Sequence, residues 1–187
     1  KALDLIEYIA SVFGLTLGEN YSYRLSLGDR TDDKKYYKND NAGDEGEEML
    51  RSVLKNRKGI FVEATGEAAF YGPKIDIQMK DARGKENTAF TVQYDFCMPD
   101  RFNLVYTASD GSEQRPVVVH RSSIGAIERV MAFLIEHYAG AFPTWLSPEQ
   151  AIVVTVSEKQ DAYADEVVKV LTEKGLRARA DVSADKL

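Results

Sequence analysis

The sequence predicts an α+β fold, an antiparallel β-sheet with flanking helices, followed by the beginning of an α/β unit. Three observations predict it. Between residues 60 and 120, short β-patterned runs succeed one another through turn residues and not through helices. Apolar residues at helical spacing cover 3–13 and 126–139. After Pro148 the order changes to strand, helix, strand, the opening of a parallel unit. The chain has 187 residues, 44% of them hydrophobic, enough for a buried core in one or two domains.

Taken in order, Leu5, Ile6, Ile9, Val12 and Phe13 give the first helix one apolar face, and Gly14 ends it. Tyr21, Tyr23, Leu25 and Leu27 alternate with Ser22, Arg24 and Ser26, the period of a half-buried strand. Residues 28–46 are dense in Asp, Lys and Arg and read as an exposed loop. A short helix follows, with Met49, Leu50, Val53 and Leu54 inward and Gly59 closing it. Strands are expected at 60–65, 75–79 and 90–96, with turn chemistry in Asp81-Ala-Arg-Gly84. Two more, 103–107 and 116–120, form a hairpin around Asp110-Gly111. The helix from Ala126 carries a stripe of Ile127, Val130, Met131, Leu134, Ile135 and Tyr138, with Gly140 as its stop. Residues 142–148 form a proline-bounded connector in which Trp145 and Leu146 pack. Strand 152–156, a helix through Ala164 and Leu171, and strand 176–182 then build a parallel unit buried on both faces. The boundary between the two parts falls near Ser147, and the second part stops early.

Composition narrows the function. The lone Cys97 excludes an intramolecular disulfide and fits a reducing compartment. With 24 Lys and Arg against 30 Asp and Glu, the net charge is -6, so the chain is no general nucleic-acid adhesive. No apolar run approaches the ~18 residues of a membrane span, and no secretory signal pattern is visible at Lys1.

Chemistry concentrates in a few segments. His120 and Arg121 end an apolar strand that feeds the long helix through Gly125, with Arg129 in its first turn. Backbone amides at such a junction favour an anion, and a guanidinium there can pair with phosphate oxygens and cover a purine. A packed junction with a surface arginine has the same pattern. Gly72-Pro73 forces a bend that flanks Tyr71 and Lys74, where a lysine at the sheet rim could neutralise a phosphoryl or carboxylate group. A hairpin corner with a solvated lysine fits equally. Gln93 and Asp95 share a strand face that either meets water or lines a cleft, and spacing does not choose. His120, taken alone, fits a structural histidine better than a zinc site, which needs about three protein ligands. Cys97 reads as a small buried hydrophobe, and His137 as a surface residue.

Together, the segments Ala69-Phe-Tyr-Gly-Pro-Lys-Ile-Asp76, Thr91-Val-Gln-Tyr-Asp-Phe96, Pro99-Asp-Arg-Phe102, Pro116-Val-Val-Val-His-Arg121, Gly125-Ala-Ile-Glu-Arg129 and 136–148 resemble the threonyl family of class II aminoacyl-tRNA synthetases. The resemblance covers most of the chain after Ile60, with its motifs in the family's order. It implies a class II synthetase-type sheet, with 1–146 as part of the catalytic domain and 147–187 as the start of the anticodon-binding domain. The implied activity is that of a threonine–tRNA ligase: ATP and threonine give threonyl-adenylate and pyrophosphate, and the threonyl group then passes to tRNA(Thr).

By the same resemblance, Arg129 contacts ATP, Lys74 is the cation near the reacting centre, and Tyr71 and Gln93 border the substrate. His120 is one ligand of a zinc ion that holds threonine by its amino and hydroxyl groups and so rejects valine. Mg2+ accompanies ATP. The implied parent is a cytoplasmic homodimer that needs no membrane. Its dimer-forming motif, its α-phosphate arginine, a Cys and a His zinc ligand and an editing domain are expected upstream of Lys1. The chain alone is therefore expected to be inactive. Two features depart from the pattern: Ala126 stands where the family usually has Ser, and residues 39–46 fit poorly. Competing expectations are a non-catalytic synthetase-like binding module and a prolyl- or seryl-type relative.

Overall fold

The computed structural model describes residues 1–57 and 60–183. They divide into two compact units, the first up to His137 and the second from Tyr138 on. In the first unit, α1 (Ala2–Val12), β1 (Tyr21–Leu27), α2 (Asp40–Asn56), β2 (Phe61–Thr65), β3 (Lys74–Lys80), β4 (Glu86–Asp95), the short α3 (Cys97–Arg101), β5 (Tyr106–Thr107), β6 (Glu113–Gln114), β7 (Val118–Ser122) and α4 (Ile127–Tyr138) follow in order. Five strands make one sheet in the order β2-β1-β3-β4-β7.

The β1–β3, β3–β4 and β4–β7 pairs are antiparallel, as expected. The β1–β2 pair is parallel, which corrects the purely antiparallel expectation. The reason is the connection: β1 returns to β2 through α2, and a helical crossover joins parallel neighbours. The expected hairpin also differs. Only β5 and β6, two residues each, pair around Asp110-Gly111. Residues 118–122 instead pair with β4, because that register sets a five-residue strand against a ten-residue one.

One sheet face is the core. Tyr23, Leu25, Ile75, Ile77, Phe90 and Val92 are buried on it. The α1 face that is buried is Leu3, Ile6 and Ala10, whereas Val12 is exposed, so the helix is rotated from the expected stripe. On α4 only Val130 and Leu134 are buried, and Ile127, Met131 and Ile135 remain exposed, since a single ridge of the helix is covered. Residues 40–46, expected as loop, are the first turns of α2. The Asn39 side chain accepts the Ala42 N–H and starts the helix. Residues before it are also tied down: Tyr36 donates to the Gly66 carbonyl, and the Tyr37 N–H to the Phe70 carbonyl. The expected stop at Gly59 lies outside the described residues.

Two glycines are required by close approach. At Gly72 (φ +151°) a Cβ would stand 2.0 Å from the Tyr94 carbonyl oxygen, and at Gly125 (φ +78°) 2.1 Å from that of Ala89. They press the bend before β3 and the start of α4 onto β4.

The second unit contains β8 (Ala151–Val154), α5 (Asp161–Glu173) and β9 (Ala178–Asp181), with the two strands parallel. Its strands are not buried on both faces: Ile152 and Val154 are exposed, because one helix covers one face only. Trp145, expected to pack, is also exposed, although Arg177 donates to its carbonyl and to that of Ser147.

Gly84 and Gly125 share φ +78°, but a Cβ at Gly84 meets nothing within 4 Å. Replacing Gly84 by Ala should therefore cost only the left-handed penalty, about 1–2 kcal/mol. Gly125→Ala should cost at least about 2 kcal/mol more through overpacking. Urea midpoints of the two variants check this; equal shifts would contradict the contact between α4 and β4.

Candidate functional site

The face of the sheet opposite the core is polar, and its register assembles the site. Ser26 pairs with Lys74, Lys74 with Gln93, and Gln93 with His120, one cross-strand row over β1, β3, β4 and β7. Beside it runs a second row, Arg24, Asp76, Thr91 and Ser122. Directly opposed residues share a face with Cβ atoms about 4.5–5.5 Å apart. Three of the five residues singled out from sequence therefore lie side by side.

Asp76 organises the Lys74 end. It is fully buried, and it accepts from Lys74 Nζ at 2.8 Å, Arg24 Nη2 at 3.0 Å and Ser26 Oγ at 2.7 Å. Burying a carboxylate carries a desolvation cost of several kcal/mol, which these three donors offset. Arg24 reaches Thr88 Oγ1 at 3.5 Å as well, and Gln78 Nε2 donates to the same oxygen at 2.7 Å. Neither Arg24 nor Asp76 was singled out for a role from sequence. The usable signal was the period: both occupy the polar phase of alternating strands whose other phase is the core.

The His120 end has its own buried carboxylate. Asp95 is fully buried, with Oδ1 accepting the Cys97 and Met98 N–H groups, 2.9 Å each, and Oδ2 lying 2.7 Å from His120 Nε2. Gln93 and Asp95 thus share a strand face but not an environment, the amide half-buried and the carboxylate fully buried. Tyr71 closes the group. Its hydroxyl donates to Gln93 Oε1, and its ring lies 5.2 Å from that of His120. Gln93 Nε2 in turn donates to Thr91 Oγ1 at 3.2 Å. Burial, and then the Asp95 charge, push the Tyr71 phenol above its usual range, so it remains a donor. The bend at Gly72 holds Tyr71 here, since the Tyr71 carbonyl accepts the Phe96 N–H.

Arg129 is not in this cluster. It is exposed in the first turn of α4, with Nη1 2.5 Å from the Thr88 carbonyl oxygen, and it borders a shallow cleft with Met79, Asn87 and Phe133. Thr88 links it to the rest, because Arg24, bound to Asp76, reaches the hydroxyl of the same residue. Cys97 is buried, and burial raises its thiol. His137 is exposed and stacks on Phe133. A small cleft lies beside the Tyr71 bend, walled by Phe70, Pro73, Tyr36 and the acidic start of α2. Arg30 there pairs with Asp40, Asp44 and Glu47.

Among the described residues, no group of three or more His, Cys, Asp or Glu is placed to hold a metal ion. His120 nevertheless fits a single ligand: its ring is half exposed, and a carboxylate engages one nitrogen, the arrangement metal-binding imidazoles usually have. No helix among the described residues is long and apolar enough to cross a membrane.

Comparison with known proteins places this geometry in context. The family model of the tRNA synthetase class II core domain (G, H, P, S and T) matches residues 2–138. A threonine–tRNA ligase of Clostridium botulinum is 46% identical over 185 residues, 99% of this chain and 28% of that protein. One of Streptococcus pneumoniae is 48% identical over 188 residues, covering all of this chain and 29% of its own length. The chain thus spans well under a third of these relatives. Among solved structures, the RNA binding domain of threonyl-tRNA synthetase from Cryptosporidium parvum Iowa II superposes with TM-score 0.85 at 37% identity, over 99% of this chain and 45% of that one. A putative threonyl-tRNA synthetase from Aeropyrum pernix gives 0.68 at 29%, over 97% and 45%.

Replacing Asp76 by Asn would leave Lys74 and Arg24 without their shared anion, and should destabilise the fold by about 3–5 kcal/mol. Glu67→Gln, which removes an exposed carboxylate 3.8 Å from Arg24, should stay within about 0.5 kcal/mol. Chemical denaturation of the two variants distinguishes a hub carboxylate from one surface pair among many.

Proposed function

The chain belongs to the tRNA synthetase class II core family, and from that premise we propose that it is part of a threonine–tRNA ligase, with 1–146 in the catalytic domain and 147–187 opening the anticodon-binding domain. The observation that carries the reading is the row Lys74, Gln93, His120, with Tyr71 folded over it, on one polar sheet face. The proposed substrates are threonine, ATP with Mg2+, and tRNA(Thr), acting in a parent that works as a cytoplasmic homodimer.

In this reading Lys74 stands by the acyl-phosphate centre, where a fixed cation stabilises charge that develops as the α-phosphate is attacked. Asp76 keeps its ammonium from folding away, so orientation is set before substrate arrives. Gln93 and Tyr71 form a hydrogen-bonded wall beside the amino acid. Arg129, anchored through Thr88, sits toward the nucleotide. His120 would be one zinc ligand, with the others outside the described residues. When bound, zinc supplies open coordination positions that a hydroxyl fills and a methyl cannot, which discriminates threonine from valine.

The test is ATP–pyrophosphate exchange by the full-length protein carrying this chain. Exchange should depend on threonine, and Lys74→Ala should reduce it roughly 10²-fold. Exchange with proline or serine alone would refute the threonine assignment, and no exchange with any amino acid would favour a non-catalytic module.

A further inference from the structure

We propose that Tyr37 is a positioning residue for Tyr71, acting from the segment that joins β1 to α2 and setting where the Tyr71 side chain stands over the polar row. The inference rests on the amino-acid role proposed for Tyr71 and adds what holds that residue in place.

The Tyr71 bend lies between β2 and β3, outside the strand ladder, so other groups must fix it. The end of β4 holds one side: the Phe96 N–H donates to the Tyr71 carbonyl at 3.3 Å, and the Tyr94 N–H to that of Pro73 at 2.9 Å. Tyr37 holds the other, its N–H donating to the Phe70 carbonyl at 2.8 Å. The Phe70 ring meets the Tyr71 ring edge-on, with centres 5.0 Å apart, so a shift of Phe70 is felt directly by Tyr71.

Residues 28–39 carry no helix or strand, and such a segment opens locally at little cost unless it is tied down. Tyr37 supplies the tie. Its hydroxyl donates to Asp100 Oδ2, on α3, and its ring centre lies 6.3 Å from that of Phe96. The Arg101 guanidinium stands 5.6 Å from the Tyr37 ring centre and 5.7 Å from that of Phe70, within cation–π reach of both. Asp100 is itself held: Arg115 Nε lies 3.4 Å from its Oδ1, and Arg115 Nη1 donates to the Pro99 carbonyl at 2.6 Å. A carboxylate on α3 therefore fixes Tyr37, whose backbone fixes Phe70, whose ring sets Tyr71.

Tyr37→Phe removes the hydroxyl and keeps the ring and the backbone N–H. In ATP–pyrophosphate exchange by the full-length protein it should raise the KM for threonine about 3–10-fold, the scale of one intramolecular hydrogen bond, with kcat and the KM for ATP within about twofold. A role in stability alone would lower the active fraction, and so kcat, without moving that KM. In a Tyr71→Ala background the same change should add nothing, because the side chain it positions is gone. A threonine KM unmoved by Tyr37→Phe, or an undiminished effect in the Tyr71→Ala background, would overturn the proposal; the reading of Tyr71 stands where Tyr71→Ala alone raises that KM. Tyr71→Ala without effect overturns both. Asp100→Ala removes the same bond from the other side and should repeat the shift. It decides the question should the Tyr37 variant fail to fold, and an unmoved KM there overturns the proposal.

Discussion

The pairing register of β3, β4 and β7 is the constraint on which the rest depends. A strand presents alternate residues to opposite faces, so one residue of slippage would send Lys74, Gln93 and His120 into the core and bring Ile75, Val92 and Arg121 to the polar face. The apolar face forbids that slip. Tyr23, Leu25, Ile75, Ile77 and Phe90 are almost wholly buried, at about 1.5–3 kcal/mol for each large side chain. The core therefore aligns the polar row without touching it.

Two buried carboxylates then convert alignment into orientation. Asp76 gathers Lys74, Arg24 and Ser26; Asp95 gathers His120 and the start of α3. Each sits in the polar phase of a central strand, where low dielectric strengthens every satisfied bond and penalises every missing one. Long, flexible side chains such as Lys74 gain most, since their rotamer freedom is removed before any ligand binds. Thr88 carries the connection outward, with its hydroxyl engaged by Arg24 and Gln78 and its carbonyl by Arg129.

Much of this was legible in the sequence. The alternation in β1, β3 and β4 separates the two faces, and the motif resemblance names Tyr71, Lys74, Gln93, His120 and Arg129. What alternation cannot supply is pairing. The strong turn signal of Asp110-Gly111 points residues 116–120 to a hairpin with 103–107, yet β7, at 118–122, pairs with the longer β4. The parallel β1–β2 pair was hidden behind residues 40–46, whose Asp, Asn and Gly disfavour helix. There the tertiary context wins: Asn39 caps the helix, and Gly46 sits where a Cβ would stand 2.8 Å from the Tyr94 ring. With Asn39 as the cap, the order is strand, helix, strand, which implies a parallel neighbour. The buried ridges of α1 and α4 differ from the expected stripes for another reason, since periodicity shows that a stripe exists but not which part of it is covered.

The most direct measurement of the central claim is a crystal structure of the full-length protein bound to a non-hydrolysable threonyl-adenylate mimic. The mimic should lie across the row from Lys74 to His120, its aminoacyl end toward Gln93 and Tyr71 and its nucleotide toward Arg129. A mimic seated on another surface, or a β3–β4–β7 pairing that puts those three side chains on the core face, would contradict the account.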